Sequence, residues 1–298
     1  MFGKTNRAAG RDSESRPPIE RLDVADLHFA DAMPEGREID LEGRGRAFAR
    51  IADGPAGAPT VLLVHGLLAT ADLNWSLAIP ALASHFGVVA PDLRGHGRGL
   101  PTTKFASEEC ADDLAAMVRT LALGRVIVVG YSLGGLIAQV FVRRHPELVA
   151  GLVLCATACS FEVPTEHGAI KLVERAARRL PESVRRTVML ALLKPRSADT
   201  PRGRWLLAEV RRHNTLALLQ ATSEAARFDS TSWVGSTSCP SAVIVTMDDR
   251  VVPASHQHAM ARALGLAAVT EIAGDHFACV KRPTEFNDAL LSACAGLA

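Results

Sequence analysis

Five short apolar runs, none alternating with polar residues, do most to limit what this chain can fold into. They are "TVLLVHG" (60–66), "GVVAPDLRG" (87–95), "RVIVVGYS" (125–132), "GLVLCAT" (151–157) and "PSAVIVTMDD" (240–249). A strand wet on one face alternates apolar and polar residues, whereas a strand covered on both faces is apolar throughout. Helical patterns lie between the runs. "SEECADDLAAMVRTLAL" (107–123) opens on a serine placed to cap it and an acidic first turn, and "GGLIAQVFVRRHPE" (134–147) ends before a proline. This alternation predicts an α/β fold, a mostly parallel, doubly wound sheet with helices on both faces. Upstream, "REIDLEGRGRAFARIAD" (37–53) alternates around Gly-Arg-Gly and predicts a two-stranded hairpin.

One interval breaks the rhythm. Between Thr157 and Ser238 no strand-like run occurs, and "HGAIKLVERAARRL", "ESVRRTVMLALL" and "RGRWLLAEVRRHNTLALLQATSEAARF" are helical in period. The simplest organisation is a helical lid over 157–238 inserted into a core made of 21–156 and 239–298. Residues 1–20, polar and proline-containing, are expected to be a disordered tail.

Composition removes several function classes. Charges nearly cancel, at a net +1 over 298 residues, so no overall field is expected to gather nucleic acid, acidic substrate or anionic membrane. No apolar run approaches the roughly 20 residues of a membrane span. The first residues lack the apolar core of a secretion signal, and the six cysteines form no Cys-x-x-Cys pair. Free thiols in the cytoplasm are the expectation. No glycine-rich phosphate cradle precedes a Lys-Ser or Lys-Thr, so no nucleotide is expected, and Cys155 and Cys159 have no second pair to complete a zinc site, so no metal is expected. Nothing in the sequence specifies an oligomeric state.

The run at 125–132 ends in Gly130-Tyr131-Ser132-Leu133-Gly134, where strand must give way to helix. Glycines on both sides remove the Cβ atoms that would clash as strand and helix converge, and the turn projects the serine beyond the sheet. A hydroxyl is a poor nucleophile unless a base takes its proton and an acid orients that base. Both partners follow at strand ends: Asp249 in "VIVTMDDRVVP" and His276 in "TEIAGDHFACV". An oxyanion would be met by the N–H of Leu133, at the start of the helix, and by that of Leu67 in "HGLLAT" (65–70). His65 would brace that loop by hydrogen bonds rather than transfer a proton, or contact substrate, and Asn74 and Trp75 would line the acyl pocket, with a tryptophan packed on a helix the equal alternative for Trp75.

The order Ser132, Asp249, His276, with His65-Gly66 and "PDLRGHGRG" (91–99) upstream, resembles the α/β-hydrolase superfamily over residues 37–296. That resemblance implies Ser132 as nucleophile, His276 as general base and then acid, and Asp249 as orienting carboxylate. It implies an oxyanion hole at Leu67 and Leu133. Asp249 is preferred to Asp248 because it is the second carboxylate before Arg-x-Val-Pro. The chain departs from the pattern where a serine usually follows Gly-x-Gly, and Arg98 stands there instead. Dehalogenases and epoxide hydrolases need an aspartate at position 132, and carbon–carbon bond hydrolases resemble "HGxGPG" where this chain has "HGLLAT". The expected activity is therefore carboxylic ester cleavage on a small-molecule substrate of small or medium acyl size. Thioester cleavage or acyl transfer would use the same residues, a lyase would use serine and histidine without an acyl-enzyme, and a non-catalytic member would merely bind.

Overall fold

A computed structural model describes residues 27–29, 33–161, 167–193 and 199–298. The expected tail at 1–20 lies outside the described residues. Eight strands form one sheet: β1 (Gly36–Leu41), β2 (Gly45–Ala52), β3 (Thr60–Val64), β4 (Gly87–Pro91), β5 (Val126–Tyr131), β6 (Val149–Cys155), β7 (Ser241–Thr246) and β8 (Thr270–Ile272). Their spatial order is β1-β2-β4-β3-β5-β6-β7-β8. The β1–β2 hairpin and the β2–β4 pair are antiparallel, and every other pair is parallel.

The unalternated runs are buried because both faces of the sheet are covered. Leu62, Val64, Val126 and Val128 point into one core layer with α3 (Ser107–Thr120) and α4 (Leu133–Arg144). Val61, Leu63, Ile127 and Val129 point into the other with α1 (Ala71–Trp75), α2 (Ala78–Ala83) and α11 (Pro283–Ala295). Residues one apart on a strand face opposite ways, so a strand in the middle of such a sheet has no position that tolerates water. The cap expected on α3 is corrected: Ala106 occupies the N-cap, and Ser107 inside the helix turns its hydroxyl to Glu224 at 3.2 Å.

Among the described residues, four α-helices occupy the interval between β6 and β7: α5 (His167–Ala177), α6 (Glu182–Leu193), α7 (Pro201–Arg211) and α8 (Thr215–Ala225). The long helical pattern beginning at Arg202 breaks at Asn214, whose side chain caps α8 by accepting from the Leu216 and Ala217 amides. The insert is fastened to loops that leave the carboxyl ends of β3 and β4. Asn214 N–H donates to Gly95 O at 2.9 Å, and Gly97 N–H to His213 Nδ1 at 3.0 Å. Among the described residues no helix is long and apolar enough to cross a membrane.

Candidate active site

Ser132 stands between β5 and α4 at φ 53° and ψ −119°, a left-handed backbone that an L-residue adopts only under constraint. The constraint is visible. The Ser132 amide donates to Cys155 O at 3.0 Å on β6, and Thr157 Oγ1 donates to Ser132 O at 2.9 Å. A Cβ on Gly130 would stand 2.5 Å from the Gly134 carbonyl oxygen, and one on Gly134 would run into the Val64 carbonyl. Glycine is required at both.

Two loops beyond the sheet bring the remaining groups to this serine. His276, after β8, sets Nε2 at 2.9 Å from Ser132 Oγ and Nδ1 at 2.7 Å from Asp249 Oδ2. A carboxylate only accepts, so the ring proton sits on Nδ1 and the Nε2 lone pair faces the hydroxyl. Asp249, with its side chain sealed from solvent, is itself held on both oxygens. Its Oδ1 accepts from the amides of Val251 and Val252 at 2.8 Å each, and Oδ2 from Thr246 Oγ1 at 2.9 Å. Gln257 on α9 (Ala254–Ala263) braces Thr246 through Nε2 to its hydroxyl at 2.8 Å and Oε1 from its amide at 3.1 Å. The neighbouring Asp248 is exposed, and its amide donates to Gly274 O instead.

The loop after β3 packs against the elbow: a Cβ on Gly66 would lie 3.4 Å from Ser132 Cβ. Leu68 in this loop is also left-handed, at φ 60°. No loop or turn acceptor for the N–H groups of Leu67 and Leu133 is found among the described residues.

The three residues expected as substrate contacts lie in the interior, and His65 takes the bracing alternative. His65 is fully buried, with Nδ1 on Gly66 O at 2.8 Å and Nε2 accepting from the Leu93 amide at 2.9 Å. Asn74 is buried with Oδ1 on the Gly66 amide at 2.9 Å and Nδ2 toward Cys279 Sγ at 3.5 Å. Trp75 is fully buried between Tyr131 and Phe286. All three brace the site from behind. Sequence reasoning passed over Tyr131, Thr157, Thr246 and Gln257, whose only signal is polarity inside otherwise apolar segments.

Behind the loop after β3 lie His65, His96 and His213, with successive ring centroids 5.3 Å apart. Burial drives each imidazole down to about 3, so all three are neutral. Beside them Arg98 meets Asp72 at 3.0 Å, Asp92 at 3.2 Å and Glu209 of α7 at 3.8 Å. Burial pushes the Asp92 and Glu209 carboxyls up, while at Asp72 the guanidiniums of Arg50 and Arg98 outweigh burial and hold it down.

Residues 59–199 match the family described as alpha/beta hydrolase fold. A pimeloyl-[acyl-carrier protein] methyl ester esterase of Chromobacterium violaceum is 31% identical over 72% of this chain and 85% of its own length. The chain belongs to the α/β hydrolase fold family. A 2-(acetamidomethylene)succinate hydrolase of Mesorhizobium japonicum is 33% identical, but the chain spans only 44% of that relative's length. A solved thermophilic esterase from Thermogutta terrifontis superposes with a TM-score of 0.67 at 25% identity, covering 88% of this chain and 99% of that one.

Proposed function

We propose that the protein is a serine hydrolase that cleaves a carboxylic ester through an acyl-enzyme, with Ser132, His276 and Asp249 as its triad. The observation that supports this most is the continuous chain of short contacts from Ser132 Oγ through the His276 ring to Asp249. His276 Nε2 takes the hydroxyl proton as Oγ attacks the ester carbonyl, and Asp249 stabilises the imidazolium without becoming protonated. The oxyanion is met by the N–H groups of Leu67 and Leu133. Each such donor contributes about 2.7–4 kcal/mol of barrier lowering. His276 then returns the proton to the leaving alkoxide, and the C–O bond breaks to leave acyl-Ser132. Water, deprotonated by His276, attacks the acyl carbon, and Ser132 leaves with the proton.

The insert over 157–238 acts as the lid of this site, a role supported by its hydrogen bonds to Leu68 O and Gly95 O in the loops after β3 and β4. Names of relatives that are esterases favour an ester as substrate. The test is labelling with a fluorophosphonate probe beside a panel of p-nitrophenyl esters of increasing acyl length. Wild type should be labelled and should turn over short esters, and Ser132→Ala should do neither. Equal labelling of both proteins would remove Ser132 from the mechanism.

A further inference from the structure

Ten large apolar side chains stand exposed among the described residues, and they are not scattered. Seven lie on α5, α6 and the turn between them. The others, Met247, Val251 and Phe277, lie on the loops that carry Asp249 and His276. All ten are on one end of the molecule. Met247 directly follows β7 and Phe277 follows β8, at the carboxyl ends of those strands. Helices α5 and α6 stand on α8 through Gln220–Glu174 at 3.3 Å and Thr215–Glu182 at 2.8 Å, and α8 is held against the loop after β4.

Helix α6 is turned inside out. None of its residues is buried, and Val184, Val188 and Leu192, spaced four apart, form a solvent-facing stripe with exposures of 43%, 52% and 79%. Its Arg185 instead points inward, donating to the Ala177 and Leu180 carbonyls and to Thr215 Oγ1. A soluble helix buries its apolar stripe, and exposed contiguous apolar surface marks a place where something docks.

The charge on this end narrows the occupant. Residues 167–193 hold six basic side chains against two acidic ones, in a chain whose net charge is +1. Arg175 and Arg179 are exposed and pair with no carboxylate among the described residues. A second copy of the chain would bring two such cationic faces together, which opposes self-association. A protein partner's contact surface favours aromatic and methionine anchors; on this end those are Met247 and Phe277 on the loops after β7 and β8, whereas the seven apolar side chains of α5, α6 and their turn are leucines and valines alone. Aliphatic side chains interleaved with arginines are the pattern of a surface that sits in a lipid interface.

We propose that this end of the molecule docks on an anionic lipid surface. The Val184–Val188–Leu192 stripe enters the boundary between headgroup and acyl chain, and Arg175 and Arg179 meet headgroup phosphates. The mouth of the Ser132 site then faces the lipid. Docking is independent of the chemistry assigned to Ser132.

The test is co-sedimentation of the full chain with vesicles of equimolar phosphatidylglycerol and phosphatidylcholine, beside vesicles of phosphatidylcholine alone. Wild type and Ser132→Ala should both sediment with the anionic vesicles and not with the neutral ones. Val188→Asp with Leu192→Asp should abolish sedimentation while leaving the thermal midpoint unchanged. Arg175→Gln and Arg179→Gln should each weaken partitioning about 5-fold, the effect of one basic residue near an anionic membrane. Wild type remaining in the supernatant, or the Val188/Leu192 variant binding as wild type does, overturns the proposal. A lipid-free dimer that the Val188/Leu192 variant makes monomeric overturns it in favour of a second copy. Absence of vesicle binding by a monomer overturns it in favour of a protein partner.

Discussion

Tyr131 donates its phenolic hydrogen to the carbonyl oxygen of His276 at 3.0 Å, so the residue before the elbow serine also holds the backbone of the residue facing that serine. The ring packs edge-on against His276 and Trp75, and burial pushes the phenol well above its usual range, so it stays a donor. Chain positions 131 and 276 are thereby fixed relative to each other from below, while the serine–imidazole contact is made above.

Tyr131→Phe keeps the ring and removes only the donor. The loss of that bond should lower stability by about 0.5–1.5 kcal/mol. The His276 loop would relax slightly, so kcat should fall by less than about 10²-fold, the figure for a misplacement of about 1 Å. KM should be unchanged, because the phenol does not face substrate. Ester kinetics beside a urea titration measure both effects, and a kcat equal to that of wild type would show that His276 is positioned without Tyr131.

The adjacent carboxylates Asp248 and Asp249 give a sharper comparison. Asp249→Asn should reduce kcat by about 10⁴-fold, because an amide offers its NH₂ to Nδ1 and selects the wrong imidazole tautomer. Asp248→Asn, on an exposed side chain, should stay within about 2-fold of wild type, since surface substitutions away from special features change little. Steady-state rates on one p-nitrophenyl ester decide it. Comparable losses in the two variants would move the orienting carboxylate or divide its role.

Much of this site was legible in the sequence because its parts are local. A valine-rich strand, a glycine-flanked serine and an amphipathic helix are read within some twenty residues of chain, and the later aspartate and histidine each end a recognisable run. What stayed illegible depends on tertiary convergence. Arg98, placed where the family usually has serine, gains its meaning only from Asp72 and from Glu209, more than a hundred residues later. Trp75 reads equally well as pocket or core until the packing of Tyr131 and Phe286 around it is seen. No periodicity marks Gln257 as the brace of Thr246, since a single buried polar residue leaves the helical pattern intact.

Arg98 carries the next expectation. Its guanidinium lies 3.8 Å from the Phe48 ring centroid and serves three carboxylates whose side chains are nearly sealed from water. Arg98→Ser, the family's usual residue, would leave Arg50 on Asp72 and Arg212 on Glu209, and no cation on the sealed Asp92 among the described residues. Removing one partner of a buried charge group costs about 3–5 kcal/mol. Without Arg98 the orphaned carboxyls bind protons more readily in the folded state than in the unfolded one, so the deficit should shrink as pH falls. Adding Glu209→Gln should recover about 1 kcal/mol or more through coupling within the network. Urea midpoints of the single and double variants test this, and strict additivity would mean that Arg98 and Glu209 do not interact.

The three neighbouring histidines set the acid limit of the fold. In the unfolded chain each imidazole takes a proton near 6.5, whereas in the folded protein burial delays this to about 3 for His65, His96 and His213. Between those values the unfolded state holds more protons, so stability is full above pH 6.5 and is lost as pH falls toward 3. Each histidine removes about 1.4 kcal/mol per pH unit, so the three together remove about 4 kcal/mol per unit. Against a typical total of about 5–15 kcal/mol, that slope brings unfolding within about one to four units below 6.5. Among the described residues His96 has no partner on Nε2, so His96→Gln is the least disruptive probe of the slope. The variant should lower proton uptake on unfolding from about three to about two in this window, measured from unfolding free energies across pH. An unchanged slope would mean that His96 is already protonated in the folded protein, and that the space between His65 and His213 admits water.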